Sequence, residues 1–299
     1  QAGTPIAGVS EGRIDVPVGT PLGGYSSRCD YIGGAGSVDR RQSQYTVSFN
    51  PSAGVQTSVM AEVLWLENGD QHVVLLNIDS IYIFDEMVED IEKLLETNTG
   101  VELDGRIILT ASHTHQAPGN FSDQLHFYLG GDRYNEEIYQ RYTESLVELA
   151  MEAYEKREPA AIGFGEAKDW DPDDKVYVDR RGENDDLILW DDFTGGKYKD
   201  PYLWMLRVDR AEDNSPLGVF FNFGIHGTSL NDDNALISTD APGHIEVRFQ
   251  EMFDSPIVIS HFQGGGGDIS PAGDSMHGHE YARMEGIGEF AVDALYDLW

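Results

Sequence analysis

Apolar and polar positions along the chain follow two different periods, and together they predict both strands and helices. Residues 58–66 and 72–80 are strand-like and flank Asn68-Gly69-Asp70, a sequence typical of a hairpin turn. In residues 85–96 and 135–157 the apolar positions recur at helical spacing, which predicts amphipathic helices. We therefore expect a β-hairpin followed by helices in the first half of the chain.

The remaining segments predict a mixed fold. The first ~50 residues are rich in Gly, Ser and Pro and are expected to form loops with short strands. The other predicted strands are 106–111, a buried one, 160–165, 203–208, 217–225 and 256–260, and the other predicted helices are 241–253 and 280–298. We expect an α/β fold of mixed α+β layers, a mixed β-sheet with flanking helices, in a single domain over residues 1–299.

Chemically active side chains follow three of these strands. His113 and His115 come after the first, His226 after the second, and Ser270 after a glycine run that ends the third. Open α/β sheets bind ligands just beyond the carboxyl ends of their strands. If the three strands share a sheet, the four side chains are expected to meet in one cleft.

The histidines are candidate metal ligands. His113 and His115 are two residues apart, so in extended backbone they point the same way. Both can bind a divalent metal such as Zn²⁺, or one can bind while the other handles protons. The alternative is a pair of polar residues at a strand end. For His226, which lies between Gly224 and Gly227, the alternative is a buried histidine bonded to a backbone carbonyl.

The glycine run 264–267 is a candidate oxyanion site. Gly266, Gly267 and Asp268 could form a nest of backbone N–H groups, and the alternative is a flexible loop. The run matches neither the phosphate-binding loop nor the nucleophile elbow of α/β-hydrolases.

Arg180 is a candidate substrate-binding residue. Its guanidinium could hold a substrate carbonyl or carboxylate, and the alternative interpretation is a surface ion pair.

The composition of the chain limits the classes of partner that it is expected to bind. The chain has 53 acidic and 20 basic residues and a net charge of −33, which excludes nucleic acid as an expected partner. The same acidic surface indicates a saline habitat, where salt screens the repulsion between like charges. The single cysteine, Cys29, excludes a cysteine-based zinc site. Acidic loops such as 171–174 are candidate Ca²⁺ or Mg²⁺ sites, although they lack the EF-hand pattern. A chain that begins at Gln1 in place of Met is expected to be a processed protein, extracellular or at the cell surface.

Four short segments form a recognisable set in order and rough spacing. They are Thr-Ala-Ser-His-Thr-His-Gln-Ala-Pro-Gly at 110–119, Ile-His-Gly-Thr-Ser-Leu at 225–230, Ala-Leu-Ile-Ser-Thr-Asp-Ala-Pro-Gly at 235–243 and Gly-Asp-Ile-Ser-Pro at 267–271. This set resembles the corresponding segments of the neutral/alkaline (non-lysosomal) ceramidases. Val178-Asp179-Arg180 stands where that family has Ile-Asn-Arg.

The resemblance implies a site and a reaction. His113 and His226 match zinc ligands, His115 a histidine beside the catalytic serine, Ser270 that serine, and Arg180 an arginine of the substrate site. One Zn²⁺ is expected. The implied reaction is hydrolysis of the N-acyl amide bond of a ceramide-like lipid, in which zinc activates water and polarises the carbonyl, and His115 passes protons to the leaving amine.

The resemblance also leaves part of the family pattern unmatched. Family members complete the zinc site with a Glu and a Tyr downstream of the serine and then carry an immunoglobulin-like domain, whereas this sequence stops at Trp299. A second polypeptide could supply the two ligands, or Asp240, Asp268, His277 or His279 could replace them. The alternative function is a non-catalytic extracellular structural or assembly protein, capable of self-assembly.

Overall fold

The computed structural model describes residues 3–30, 43–179, 199–272 and 280–299. Its strands are β1 (Ile6–Arg13), β2 (Gly54–Val55), β3 (Met60–Asn68), β4 (Gln71–Ile78), β5 (Ile107–Ala111), β6 (Glu158–Lys168), β7 (Tyr177–Asp179), β8 (Tyr202–Arg210), β9 (Pro216–Phe223), β10 (Leu236–Ile237), β11 (Val258–Gln263) and β12 (Ile269–Pro271). Its helices are α1 (Asp85–Thr99), α2 (Leu125–Gly131), α3 (Glu136–Glu155), α4 (Asp240–Gln250) and α5 (Glu280–Leu298).

Eight strands form one mixed sheet in the order β11-β9-β8-β6-β1-β3-β4-β5. The pairs β11–β9 and β4–β5 at its two edges are parallel, and the pairs between them are antiparallel. The predicted hairpin is confirmed, with Asn68 opposite Gln71 and a left-handed Gly69 in the turn. The mixed sheet with flanking helices that the sequence predicts is therefore confirmed.

The sheet curls until its two edges meet. Although β11 and β5 stand at opposite ends of the strand order, they are in contact. Beyond their ends, the Gln263 side chain donates from Nε2 to the Ser112 carbonyl at 2.9 Å. An apolar cluster that includes Leu64, Val208 and Phe220 fills the space between the two halves of the sheet. Curling thus brings the carboxyl ends of β5, β9 and β11 to the same place.

Helices cover both outer faces of the curled sheet. One apolar cluster joins α1 and α3 to β3 and β4, with Trp65, Leu76 and Tyr142 fully buried. Another joins α4 and α5 to β8, β9 and β11, with Phe221 and Phe249 fully buried. The layers are therefore helix, sheet, sheet and helix, as expected when each amphipathic element hides its apolar side.

Two local predictions were wrong. The first 50 residues contain β1, an eight-residue strand in the middle of the sheet, where loops with short strands were expected. Gly8 suggests a loop because glycine weakens strands, but here a Cβ on it would lie 1.9 Å from the Ala153 carbonyl oxygen, so glycine permits α3 to pack closely. In β5, predicted to be buried, Ile108 is 51% exposed because the strand lies at an edge.

A search for membrane-spanning helices within the described ranges found none of sufficient length and hydropathy.

Candidate metal centre

The backbone joins the ends of β5 and β9 directly. Thr114 and Gly227 form an isolated parallel bridge, and the His115 N–H donates to the Gly227 carbonyl at 3.0 Å. A Cβ at position 227 would lie 2.6 Å from the His113 carbonyl oxygen and from the Thr114 Cα. Only glycine allows this approach, which places the histidines of two distant segments side by side.

The three histidines converge on their Nε2 atoms. His113 Nε2 lies 3.0 Å from His226 Nε2 and 3.4 Å from His115 Nε2. Each histidine offers one nitrogen such that all three atoms lie within 4.8 Å of one another, close enough for a single metal ion to contact them all. We call His113, His115 and His226 the histidine cluster. The structure thus brings together three of the four side chains that the sequence predicts to share a cleft.

Backbone carbonyls orient two of the three rings. His113 Nδ1 lies 2.6 Å from the Ile81 carbonyl oxygen, and His226 Nδ1 lies 2.9 Å from the Gly266 carbonyl oxygen. Because a carbonyl only accepts hydrogen bonds, both Nδ1 atoms carry hydrogen, and in the neutral rings both Nε2 atoms present lone pairs. Two lone pairs 3.0 Å apart repel unless a proton or a metal cation lies between them. Carbonyl-oriented imidazoles are the usual arrangement in metal sites.

The cluster includes local strain. His113 has φ = 61°, in the left-handed region that non-glycine residues seldom adopt. That conformation turns the chain out of β5 and aims the His113 ring at the Ile81 carbonyl. Non-glycine residues in this region concentrate at functional sites, where surrounding contacts offset their cost.

Gln263, at the end of β11, hydrogen-bonds to the backbone just after β5 and β9, next to the histidines. Its Oε1 accepts from the Ile225 N–H at 2.8 Å, and its Nε2 donates to the Ser112 and Ile225 carbonyls. One side chain therefore ties together the residues immediately before His113 and His226. A glutamine after a short apolar strand has no distinctive pattern, so the sequence alone does not predict this role of Gln263.

A platform formed by Gly24, Tyr25 and Arg28 supports His115. A Cβ on Gly24, whose φ is +94°, would lie 2.3 Å from His115 Nδ1, so the ring packs directly on the Gly24 backbone. The Tyr25 ring meets the His115 ring edge-on with centroids 4.7 Å apart, and the Tyr25 hydroxyl donates to the Leu230 carbonyl at 3.0 Å. The position of His115 is therefore set by aromatic and backbone contacts.

Within this platform, Arg28 hydrogen-bonds to the backbone of His115 and to its neighbours. Its Nη1 donates to the His115 carbonyl at 2.6 Å and its Nη2 to Gln116 Oε1 at 2.7 Å. Burial lowers the pKa of Arg28 to about 10, so the guanidinium stays charged at neutral pH. The same side chain also donates to the carbonyls of Gly23, Asn231, Asp232 and Asn234. The signal in the sequence for this role is a basic residue in an acidic chain, and it did not enter the prediction of the site.

Ser270 lies on β12, which pairs antiparallel with β7. In this ladder Ser270 is opposite Val178 and Ile269 is opposite Asp179. The ladder therefore aligns the predicted serine with the segment that leads to Arg180, although Arg180 itself lies outside the described residues. The Ile269 N–H donates at 3.1 Å to the same Gly266 carbonyl that holds His226, which links the serine strand to the histidine cluster.

The glycine loop contributes a carbonyl where N–H donors were expected. The Gly266 N–H donates to the Gly264 carbonyl at 2.8 Å, so this donor is used within the turn. Gly266 instead acts through its carbonyl on His226. Gly267 is exposed and Asp268 half-buried at the start of β12, and their predicted part in an oxyanion nest stays a prediction.

The residues proposed to replace the family's Glu and Tyr as metal ligands do not join the histidine cluster among the described residues. The buried Asp240 carboxylate accepts from the N–H groups of Ser229, Leu230 and Ala241, which shapes the loop after His226. Among the described residues, neither Asp240 nor Asp268 belongs to the group that could share a metal with the histidines. His277 and His279 lie outside the described residues.

The acidic loop 171–174 contacts a cation of the protein itself. Lys199 Nζ lies 2.8 Å from Asp171 Oδ2 and 2.8 Å from Asp174 Oδ1. The Asp171 carboxylate also accepts from the backbone N–H groups of residues 175–177. The observed partner of these carboxylates is thus an ammonium group, and the predicted Ca²⁺ or Mg²⁺ stays a prediction.

Comparisons with known proteins identify relatives with the same fold. The chain is 22% identical over 219 residues to neutral ceramidase B of Dictyostelium discoideum, covering 70% of this chain and 30% of that protein. It is 23% identical over 226 residues to the neutral ceramidase of Pseudomonas aeruginosa, covering 74% of this chain and 33% of that protein. The chain thus spans about a third of the length of these curated relatives.

Solved structures extend the likeness to the whole chain. The structure of neutral ceramidase from Pseudomonas aeruginosa superposes on 99% of this chain and 44% of its own, with a TM-score of 0.80 and 19% identity. A structure described as a ceramidase complexed with C2 superposes with a TM-score of 0.81 and 20% identity. Residues 36–279 match the family model described as neutral/alkaline non-lysosomal ceramidase, N-terminal. The predicted resemblance is confirmed, and this chain belongs to the neutral/alkaline non-lysosomal ceramidase family.

Proposed function

We propose that this chain supplies the metal-binding part of a hydrolase that cleaves the N-acyl amide bond of a ceramide-like lipid. The observation that carries the proposal is the convergence of three Nε2 atoms in the histidine cluster, with His113 and His226 oriented by carbonyls. Membership of the ceramidase family supports the reaction class. Because the chain spans about a third of its curated relatives, the activity is a proposal for the protein that contains it.

We propose zinc as the metal. Imidazole nitrogens suit zinc, and sites with three protein ligands and one open position are typical of catalytic zinc. When bound, the ion would supply Lewis-acid activation of the amide carbonyl and of water. The protein's own part is to hold the three rings in place through the Ile81 and Gly266 carbonyls and the Gly24–Arg28 platform.

A lipid-like substrate fits the surface beside the histidine cluster. On α2, Leu125 is 84% exposed and Leu129 is 53% exposed, although large apolar side chains are usually covered. This helix adjoins the cluster twice. The Gly24 N–H, under His115, donates to the Gly130 carbonyl, and Tyr82, next to Ile81, stacks on Phe127 with ring centroids 3.8 Å apart. An acyl chain would therefore find apolar contacts within reach of the metal centre.

The remaining roles come from the family resemblance. Ser270 and Arg180 would position the amide and its neighbouring hydroxyls, and Gly267 and Asp268 would line the substrate loop. Either proton transfer or metal ligation is chemically open to His115. The single-domain organisation, the extracellular location, self-assembly and a second polypeptide carrying further ligands stay predictions.

Metal content and hydrolysis together test the proposal. The zinc-loaded 299-residue chain, alone and in the full-length protein that contains it, would be assayed on a short-acyl fluorescent ceramide. The double variant His113→Ala/His226→Ala is expected to lose both zinc and hydrolysis, whereas the exposed Glu144→Gln on α3 should keep both. One zinc per chain retained in the double variant would show that the ligands are wrong. Zinc without hydrolysis in the full-length protein would favour the non-catalytic structural role.

A further inference from the structure

We propose that α2 is a lipid-docking element, whose exposed leucines enter the surface of a net-neutral lipid bilayer beside the histidine cluster. Leu125 is 84% exposed, and Leu129, four residues later and therefore on the same side of the helix, is 53% exposed. The choice of lipid as the partner rests on the proposed function, whereas the exposed surface is an observation on this chain. The leucines would thus meet the bilayer from which the substrate comes, in addition to the substrate's own acyl chain.

A third apolar side chain lies next to the C-terminal end of α2. Val47 is 52% exposed, and its N–H donates to Asp132 Oδ2 at 2.7 Å, directly after the last residue of the helix. We call Val47, Leu125 and Leu129 the α2 patch. Exposed apolar side chains that lie together are typical of surfaces that bind a partner or a membrane.

The rest of the protein holds α2 firmly in place. The buried Asp132 carboxylate also accepts from the N–H groups of Ser48 and Phe49. A Cβ on Gly131 would lie 2.1 Å from the Gly119 carbonyl oxygen, so glycine lets the helix end rest directly on the backbone that follows β5. The leucines are therefore exposed on a fixed helix, and their exposure is a property of the fold.

The size and charge of the α2 patch favour lipid over a second copy of this chain. A stable protein interface uses about 20–30 residues a side, whereas the patch has three apolar side chains. Two copies that each carry a net charge of −33 would also repel each other. A lipid surface needs no matching shape, because each methylene group that leaves water contributes to binding by itself.

The charge of the chain also indicates which lipids it would contact. Asp123 and Arg133 are exposed just before and just after α2 and carry opposite charges, so α2 is not flanked by the run of basic residues that anionic headgroups attract. The whole chain, at −33, is repelled by an anionic surface. Zwitterionic lipids such as phosphatidylcholine are therefore the expected surface.

The α2 patch lies on the path that a lipid substrate would take to the histidine cluster. The Gly24 N–H donates to the Gly130 carbonyl at 2.7 Å, and the His115 ring packs on the backbone of the same Gly24. One residue therefore separates the lipid-docking helix from a histidine of the metal centre. A poorly soluble substrate could pass from the bilayer to the site without crossing water.

Vesicles that contain no substrate test docking separately from hydrolysis. The full-length protein that contains this chain would be sedimented with phosphatidylcholine vesicles and, at the same salt concentration, with phosphatidylglycerol vesicles. Leu125→Ser/Leu129→Ser is expected to lower the partition constant for phosphatidylcholine by about 10-fold or more, because two leucine side chains no longer leave water. A change below about 2-fold would overturn the proposal, and so would tighter binding to phosphatidylglycerol by the unaltered protein.

Met252→Ser is the matched control for these vesicle measurements. Met252 is 47% exposed and follows α4, in the helix layer on the other outer face of the sheet. This variant should bind phosphatidylcholine as tightly as the unaltered protein does. An equal loss in Met252→Ser and in the double leucine variant would mean that the protein adsorbs without using α2, and would overturn the proposal.

A single fluorescent label shows whether α2 itself enters the lipid. Cys29 is the single cysteine and is buried, so Leu125→Cys and Met252→Cys can each be labelled with an environment-sensitive dye. Adding phosphatidylcholine vesicles should shift the emission of the label at position 125 to the blue and leave that at position 252 unchanged. A label at position 125 that already emits in the blue without vesicles would overturn the proposal, because another part of the protein would then cover the patch.

Docking and hydrolysis fail in different ways. If the full-length protein binds vesicles through α2 but does not hydrolyse a short-acyl ceramide, the proposed function is wrong and the lipid surface stands. If it hydrolyses that ceramide while vesicle binding is the same with and without the leucines, only the docking role of α2 is overturned.

Discussion

Among the described residues, a cluster of histidines and a cluster of carboxyl groups handle charge in opposite ways. The histidine cluster consists of nitrogen acceptors at the ends of β5 and β9, with two rings oriented by carbonyls. The carboxyl cluster, defined here as Glu62, Asp79 and Glu246, lines a cavity of about 260 Å³ between the sheet and α4. The first cluster presents lone pairs to a cation, and the second must accommodate negative charge without one.

The carboxyl cluster accommodates that charge by retaining protons. Burial, together with mutual repulsion, raises the pKa of Glu62 and of Glu246 well above the ordinary value, and burial raises the pKa of Asp79 to about 7. Among the described residues that line this cavity there is no Lys, Arg or His. The hydrogen bonds come from neutral donors, such as Asn77 Nδ2 to Glu62 Oε2 at 3.0 Å and the His261 N–H to Glu246 Oε1 at 2.6 Å.

The difference shows that a buried polar cluster alone does not define a metal site. Carboxyl groups can carry negative charge, but the donor atoms of these three do not converge on one point as those of the histidines do. Among the described residues, the histidine cluster is the group whose donor atoms lie close enough together to hold one metal ion. Orientation by second-layer carbonyls and convergence of donor atoms distinguish a site built for a cation from one that lowers its own charge by binding protons.

The largest effect is expected from removing a histidine of the cluster. His226→Ala deletes both a donor nitrogen and its bond to Gly266, so zinc affinity should fall by more than about 100-fold, beyond the cost of losing an orienting residue alone. Isothermal titration of zinc into the chain measures this. Glu62→Gln, in the carboxyl cluster, should leave zinc affinity unchanged. If it weakened zinc binding as much as His226→Ala, the contrast between the clusters would be wrong.

The backbone bridge under the histidines should be nearly as sensitive. Gly227→Ala would place a Cβ 2.6 Å from the His113 carbonyl oxygen, and overpacking of this kind costs about 1–3 kcal/mol of unfolding free energy. Urea denaturation measures the loss. Gly130→Ala is the matched control, because nothing lies within 4 Å of its Cβ position. Equal stability of the two variants would show that the bridge is not as tight as described.

The carboxyl cluster should make stability depend on pH. For Asp79 the folded-state pKa of about 7 exceeds the ordinary value of 3.8, so the folded protein binds a proton that the unfolded chain releases, and the unfolding free energy falls as pH rises between these values. Glu62→Gln removes a carboxyl group that repels the neighbouring carboxylates Asp79 and Glu246. It should therefore raise the unfolding free energy at pH 8 by about 1–2 kcal/mol, with less effect at pH 5.5, where more of the carboxyl groups are protonated.

Urea denaturation at the two pH values tests this, with the exposed Glu144→Gln on α3 as the control. A destabilised Glu62→Gln at pH 8 would mean that the carboxyl cluster is ionised and that a cation compensates it.

The smallest expected effect concerns the platform beneath His115. Tyr25→Phe removes the hydroxyl that donates to the Leu230 carbonyl but keeps the ring against His115. One such hydrogen bond is worth about 1 kcal/mol, so unfolding free energy should fall by that amount with zinc affinity nearly unchanged. Tyr25→Ala, which also removes the ring, should weaken zinc binding further. Equal zinc affinity in both variants would argue against a supporting role for the ring.

Local patterns in the sequence determined the elements and the donor types. The hairpin around Gly69, the helix over residues 280–298 and the apolar strand before His226 all follow from short-range periodicity and turn chemistry. The same holds for the pairing of His113 with His115 two residues later. These features depend on neighbours within a few positions, so a single sequence contains what is needed to predict them.

The tertiary structure decided how these elements form a site. His113 and His226 are 113 positions apart, and they meet because the sheet curls, Gly227 admits the Thr114 backbone and Gln263 ties the strand ends. The central place of β1 depends on Gly8 packing against Ala153, and the position of the His115 backbone depends on Arg28. These contacts join segments far apart in the chain, and periodicity within one segment has no information about which distant backbone atoms it will meet.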